Sequence, residues 1–414
     1  MTMSHRLLCI GFILSYWACS LQGEKKPRPF NDLQPTVILI SIDGCRWDFL
    51  DKFSPPTLKK LAANGVRAQA LIPVFPTKTF PNHYTIVTGL YPAHHGIVAN
   101  TMYDPEFKAK FSLSKREAVT DGRWWEGEPL WVTAVKQNQR SGTLFWPGSE
   151  AEIAGVRPTY WKVYDDDFPN SARVDTVLAW LDLPAARRPT FLTLYFSDVD
   201  NAAHRHGPES PEAEKAIRRV DQMLGRLLVG LQRRGIVDRV HVIVVSDHGM
   251  TPVTRERVIY LDDYLDLDKV NVVDWNPVLA VRPREMNEEK IYQKLAGAHP
   301  HLQVYRKNEI PERWHYRQHR RIAPIIGVAD DGWTIARHGL RNTAERVYTT
   351  GEHGYDNQLA VMRGIFIATG PAFKSGLVVA PFQNIHLYHL ICAILKLQPA
   401  RNDGDLDSVR AMLR

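Results

Sequence analysis

Runs of apolar residues, and the polar breaks between them, divide the chain into alternating strands and helices. Thr36–Ile42 is a continuous, largely β-branched apolar run bounded by Pro35 and Asp43-Gly44, the pattern of a parallel strand buried on both faces. Thr190–Tyr195, Val240–Val245 and Gly364–Ala368 have the same character. Gly142–Trp146 reads as a shorter strand, and Val66–Val74 predicts one more. Helical patterns lie between them: Thr57–Asn64 closing at Gly65, His83–Thr88 closing at Gly89 with Pro81 in its first turn, Leu130–Asn138, Val174–Leu181 and Ile385–Leu395. The clearest is Pro211–Arg233, where Ala216, Val220, Met223, Leu224, Leu227, Leu228 and Leu231 share one helix face. Solid apolar strands alternating with amphipathic helices predict an α/β fold: a mostly parallel central sheet flanked by helices.

With 414 residues, 44% of them hydrophobic, and no repeat or low-complexity block, residues 30–414 are expected to form a single domain. The formal charge is +7, but Lys and Arg are dispersed, with short pairs such as Arg187-Arg188 and Arg320-Arg321. No zinc finger, aromatic RNA-binding signature or basic arm is present, so no nucleic-acid-binding module is expected. Such a charge suits small anionic substrates, and it suits a plain solvated surface equally. Residues 1–22 read as a secretory signal. His5 and Arg6 precede an apolar run from Leu7 to Ala18, too short to span a membrane, and small residues follow. Glu24–Pro29 reads as an exposed linker, and Cys19 is a poor lipidation site. Export, to the periplasm or outside the cell, is the expectation. No transmembrane segment is expected in the mature chain, and the oligomeric state is left open. Cys45 and Cys392 could pair, but two cysteines do not make a disulfide framework.

Ligands of open α/β sheets sit at the carboxyl ends of strands. Two strands here end on an acid, at Asp43-Gly44 and at Ser246-Asp247-His248-Gly249. A third leads into Asp198-Val199-Asp200-Asn201-Ala202-Ala203-His204, where Asp200 and His204 stand one helical turn apart. Thr349-Thr350-Gly351-Glu352-His353-Gly354 is another glycine-framed loop with a histidine. Carboxylates and imidazoles are zinc ligands where thiolates are lacking, yet each motif alone reads equally well as turn chemistry or a hydrogen-bonded core histidine. Thr79 lies just before Pro81. It is either an N-cap or, at a helix start that attracts anions, a hydroxyl that a metal could make nucleophilic.

Taken in order, Asp43-Gly44, Thr79-Phe80-Pro81-Asn82-His83-Tyr84, Gly96–Asn100, Trp146–Ser149, Asp200–Pro208, Ser246–Met250 and Gly351–Asn357 closely resemble the nucleotide pyrophosphatase/phosphodiesterase family of the alkaline phosphatase superfamily. The resemblance runs from about residue 35 to about residue 395. It implies a phosphodiesterase catalytic domain with Thr79 as nucleophile and two Zn2+ ions. One ion is implied on Asp43, Thr79, Asp247 and His248, the other on Asp200, His204 and His353. It further implies that Asn100 binds a phosphate oxygen and that Phe80 and Tyr164 flank a nucleobase. Tyr164 is matched by its place 36 residues before Asp200. Asp198 is expected to be a structural acid, and His206 and the His94-His95 turn are left outside the site. Cys45 invites a sulfatase reading, but the Cys-x-Pro-x-Arg motif is absent and Cys45 is expected to pack.

The activity so implied is hydrolysis of phosphate diesters, above all nucleotide diesters and pyrophosphates, through a covalent threonine ester that releases nucleoside 5′-monophosphates. Choline-headed lipid diesters are the runner-up substrate, phosphate monoesters the third. No arginine is expected in the site to receive a monoester's extra charge. An exported binding protein that had lost catalysis would need a broken site, and every ligand position here is filled. The shortness of the chain, the lack of cysteine-rich modules and the lack of an Asn-x-Ser/Thr sequon (Asn342-Thr343-Ala344 fails it) point to a bacterial periplasmic enzyme.

Overall fold

The structure is a computed structural model that describes residues 30, 32–339 and 350–414. The signal segment, the linker up to residue 29, Cys9, Cys19, Asn342–Ala344 and Thr349 lie outside the described residues. In chain order, the first elements are β1 (Val37–Ile42), α1 (Pro56–Asn64), β2 (Val66–Ala68), α2 (Thr79–Thr88), α3 (Leu130–Lys136), β3 (Ser141–Leu144) and β4 (Tyr160–Lys162). Next come α4 (Asn170–Leu181), β5 (Phe191–Phe196), α5 (Asp198–His206), α6 (Pro211–Arg233) and β6 (His241–Val245). A second region holds β7 (Val270–Asp274), β8 (Val278–Pro283), α7 (Glu288–Leu295), β9 (Leu302–Arg306) and β10 (Ile325–Ala329). The chain then returns through β11 (Phe366–Thr369), β12 (Leu377–Val379) and α8 (Leu387–Leu395).

The central sheet has eight strands in the order β12-β2-β11-β6-β1-β5-β3-β4. From β6 to β4 every pairing is parallel, and β11 alone runs antiparallel to both of its neighbours. The expected α/β class therefore holds. β1 lies at the middle, with Val37 opposite Phe191 on one side and His241 on the other. All six of its residues are buried, because alternate side chains serve two cores. Ile38, Ile40 and Ile42 face α1, α4 and α6, while Val37 and Leu39 face α2, α3 and α8. Cys45 belongs to the first core and Cys392 to the second, and both thiols are free. They do not pair.

Two expectations need correction. Val66–Val74 is not one strand: it breaks after Ala68 and resumes as a two-residue strand, Leu71–Ile72. The late helix starts at Leu387, after a 3-10 turn over Asn384–His386. The sequence reading assigned nothing to the antiparallel sheet β7-β8-β10-β9, which packs its own core through Leu279, Val281, Ile291, Leu295, Leu302 and Ile325. No helix among the described residues is long and apolar enough to cross a membrane.

Candidate active site

The carboxyl ends of β1, β5 and β6 converge at one point. Asp43 ends β1, and its backbone N–H donates to Phe196 O at the end of β5. Gly44 then turns with φ +66°, and a Cβ there would stand 3.0 Å from Asp200 Cα and Oδ1. Only glycine lets the two carboxylate segments come so close. Gly44 N–H also donates to Asp247 Oδ1 at 3.2 Å, linking the first turn to the one after β6.

Around this point lie two sets of carboxylates and imidazoles. In one, His248 Nε2 is 3.4 Å from Asp43 Oδ1, 3.0 Å from Asp247 Oδ2 and 3.3 Å from Thr79 Oγ1. In the other, Asp200 Oδ1 is 3.4 Å from His204 Nε2 and 3.8 Å from His353 Nε2. The rings of His248 and His353 stack at 3.5 Å, joining the sets. In each of the three histidines Nδ1 meets a backbone carbonyl at 2.8 Å: Gly351 O for His204, Gly249 O for His248 and Thr77 O for His353. A carbonyl only accepts, so Nδ1 carries a proton and Nε2 is the nitrogen left facing the site, the usual arrangement of a metal-binding histidine.

Charge in the site also calls for a cation. Asp43 Oδ1, Asp200 Oδ1 and Asp247 Oδ2 are buried without a hydrogen-bond partner. Burial pushes the Asp43 carboxyl up, and the nearby carboxylates of Asp247 and Asp200 push it further. For Asp247 burial acts in the same direction, but His248 and His83 outweigh it and hold the group well below the usual range. Burial would lower His248, yet Asp247, Asp43 and Asp200 raise it to about 9. The donor set of carboxylate oxygens and imidazole nitrogens suits zinc.

Thr79 does not cap α2. Lys78 occupies the N-cap position with no side-chain cap bond, and Thr79 is the first helical residue. Asn100 Oδ1 accepts from Phe80 N–H at 2.9 Å, so that N–H is engaged, and the bond orients the Asn100 amide with its NH2 left as donor. Above Thr79, Asp43 and Asp200 opens a cavity of about 210 Å³ walled by Phe80, Tyr164, Leu113 and Trp146. Phe80 rests on Phe111 and Trp125, and the Tyr164 hydroxyl donates to Asp166 at 2.8 Å.

Every site residue read from the sequence thus gathers at this cavity or directly behind it. Asp198 lies apart, accepting from Asn170 at 2.8 Å, and His206 is exposed. His94 pairs with Asp403, and His95 is buried against Thr85. Cys45 packs as expected. Three residues were missed. His83 has both nitrogens engaged, with Thr79 O at 2.9 Å and Ser41 Oγ at 2.8 Å, so it braces the turn that carries Thr79 from below. Glu352 groups with His204 and His353. Contrary to expectation an arginine, Arg116, does line the cavity, but its guanidinium is engaged by the buried carboxylate of Glu150. A buried His one helical turn after Thr79 was the signal available for His83; Arg116 gave none.

The family profile described as type I phosphodiesterase / nucleotide pyrophosphatase matches residues 37–356, the span that supplies every strand end and loop of this site. The chain belongs to that family. It is 41% identical over 408 residues to ectonucleotide pyrophosphatase/phosphodiesterase family member 1 of Mus musculus, covering 95% of this chain and 44% of that protein. With member 5 of Homo sapiens it shares 38% over 412 residues, covering 99% of this chain and 84% of that protein. The chain therefore spans less than half the length of member 1 and most of member 5. Among solved structures, murine member 5 superposes with a TM-score of 0.88 at 39% identity, covering 92% of this chain and all of that one. That structure holds an inactive threonine-to-alanine variant in complex with AMP.

Proposed function

We propose that this phosphodiesterase-family chain is an exported enzyme that hydrolyses phosphate diesters, nucleotide diesters and pyrophosphates first, using Thr79 as nucleophile and two Zn2+ ions. The observation that carries the reading is the place of the Thr79 hydroxyl: at the head of α2, 3.3 Å from His248 Nε2 and open to a cavity with aromatic walls. The AMP complex and the inactive threonine variant of the murine relative support it. Asp43, Asp247 and His248, with Thr79, would hold one ion, and Asp200, His204 and His353 the other. Bound there, zinc would supply Lewis acidity that lowers the pKa of the Thr79 hydroxyl and offsets charge on phosphate oxygens.

The chain's own residues do the rest. His83, fixed by Ser41, holds the Thr79 carbonyl and so sets where its Oγ points. Thr79 Oγ bonds to phosphorus while the bond to the leaving oxygen breaks, giving a phosphothreonine ester. Water then cleaves that ester and releases a nucleoside 5′-monophosphate. The Asn100 amide, oriented by Phe80 N–H, donates to a non-bridging oxygen. Phe80 and Tyr164 take the base.

A chromogenic nucleotide diester tests the reading. Turnover should vanish with chelator and return with zinc. His204 and His353 variants should lose one zinc per chain, and Asp247 and His248 variants the other. Chelator-resistant turnover, or two zincs in all four variants, would refute it.

A further inference from the structure

Away from the catalytic cavity, and sharing no residue with it, a groove of about 700 Å³ opens at one end of the small sheet. Arg282 comes from the end of β8, Arg306 and Lys307 from the end of β9, and Arg317 and Arg320 from the segment entering β10. Glu288, at the start of α7, is the one acid among the described residues of the lining.

These five cations are not equivalent. Arg306 is neutralised by Glu289 at 2.8 Å and Glu309 at 3.1 Å, and Arg317 by Glu312 at 3.3 Å. Arg320 meets Asp104 at 2.9 Å, Glu106 at 3.1 Å and Glu126 at 3.3 Å. Among the described residues, neither Arg282 nor Lys307 pairs with a carboxylate, although Asp104 and Glu288 act on the Arg282 guanidinium from farther off. Arg282 Nη2 donates to the carbonyls of Arg320, Arg321 and Ile322 at 2.9, 3.0 and 3.3 Å, and its Nε is buried without a partner. Lys307 Nζ donates to His319 O at 2.7 Å.

Carbonyls orient a cation but leave its charge in place. Two positive charges are thus fixed side by side, half-buried, at the wall of an open groove. The cost is visible at Lys307: burial, and then the nearby Arg282 guanidinium, lower its pKa. Burial lowers Arg282 as well, against the opposing pull of Tyr103, Asp104, Tyr316 and Glu288. An anion in the groove would relieve both.

We propose that this groove binds a ligand carrying adjacent phosphate groups, held by Arg282 and Lys307, at a site separate from the catalytic cavity. A guanidinium offers a planar pair of donors to phosphate oxygens, and an ammonium a point charge beside it. Two full charges and a groove of this size exceed what one carboxylate would fill. The phosphates come either from a small soluble diphosphate or from a polyphosphate chain.

Calorimetric titration of the zinc-loaded full chain with inorganic pyrophosphate tests this. Two binding equivalents are expected, one of which leaves diester turnover unaffected. Lys307→Gln and Arg282→Gln should each weaken that equivalent by at least about tenfold with kcat unchanged, while Lys307→Arg stays within about threefold of the parent. A parallel titration with long-chain polyphosphate identifies the source. Binding at least about tenfold tighter than pyrophosphate, with the same sensitivity to Lys307→Gln, assigns the chain; equal or weaker binding assigns the small anion. A single equivalent that competes with diester turnover, or an affinity equal in the parent and Lys307→Gln, overturns the proposal. If Arg282→Gln does not fold, because Arg282 holds three carbonyls, Lys307→Gln alone decides.

Discussion

At the scale of single residues, the question at Thr79 was whether its hydroxyl caps a helix or does chemistry. Lys78 holds the cap position, so removing the hydroxyl takes nothing from the helix. Thr79→Ala should therefore leave unfolding stability within ~0.5 kcal/mol while kcat falls by at least ~10³-fold. More than about a tenth of the parent rate would end the nucleophile assignment. Phe80 faces two ways, towards the cavity and onto Phe111 and Trp125. Phe80→Ala should weaken nucleotide diesters by about ten- to a hundredfold and a dialkyl phosphate barely, because stacking on a base contributes ~1–3 kcal/mol. Equal losses on both substrates would show that Phe80 only packs. Glycine turns singled out Asp43, Asp247, His248 and His353, and helical spacing Asp200 with His204, but only the ordered resemblance to the family implied them as one ligand set. His83 and Arg116 were not legible. The role of His83 depends on Ser41, 42 residues earlier, and that of Arg116 on a carboxylate 34 residues later.

Among elements, legibility followed burial. β1, β5 and β6 are buried on both faces, so their sequences are almost continuous apolar runs, interrupted by Ser41, Thr193 and His241 alone. β4 and β9 are mostly half-exposed, and their mixed residues led to no strand assignment. The antiparallel setting of β11 leaves no local trace. One tie between elements is open to measurement. Asp104 ends the first strand of the hairpin Thr101–Asp104/Ala109–Ser112. Fully buried, it accepts from Arg321 at 2.7 Å in the segment before β10. Burial would raise its carboxyl, but Arg321, the Phe107 N–H and Arg320 outweigh that and bring it to about 2. Its folded pKa lies below its unfolded one, so the contribution to stability is complete above about pH 4 and is lost as pH falls towards 2. Asp104→Asn, which leaves Arg321 short of a buried counter-charge, should cost ~3 kcal/mol at neutral pH, and denaturant titrations should show that deficit shrinking below about pH 4. A deficit that does not change with pH would mean the pair is held by packing alone.

Across the whole molecule, the central sheet supplies most of the site and the small sheet braces it. Thr77 links the turn before Thr79 to the loop of His353: its carbonyl accepts from His353 Nδ1, and its hydroxyl donates to Tyr355 O at 3.0 Å. Lys78, the next residue and buried, forms an ion pair with half-buried Asp274 at the end of β7, at 2.5 Å. Two residues on, Asn276 donates to Glu352 at 2.7 Å. The small sheet therefore touches the turn before Thr79 and the residue before His353 at once. If the Lys78–Asp274 pair positions Thr79, its charge and its geometry can be separated. Asp274→Asn leaves the Lys78 ammonium buried and unpaired, at a cost of about 3 kcal/mol in unfolding stability. Adding Lys78→Met removes the orphaned charge and should restore more than half of that loss. The double variant should nonetheless keep a kcat about tenfold below the parent with KM changed less than about threefold, since a turn no longer held in place misaligns the Thr79 hydroxyl in the transition state more than it loosens substrate. Recovery of both stability and full kcat in the double variant would show that the pair supports the fold and leaves the position of Thr79 to His83.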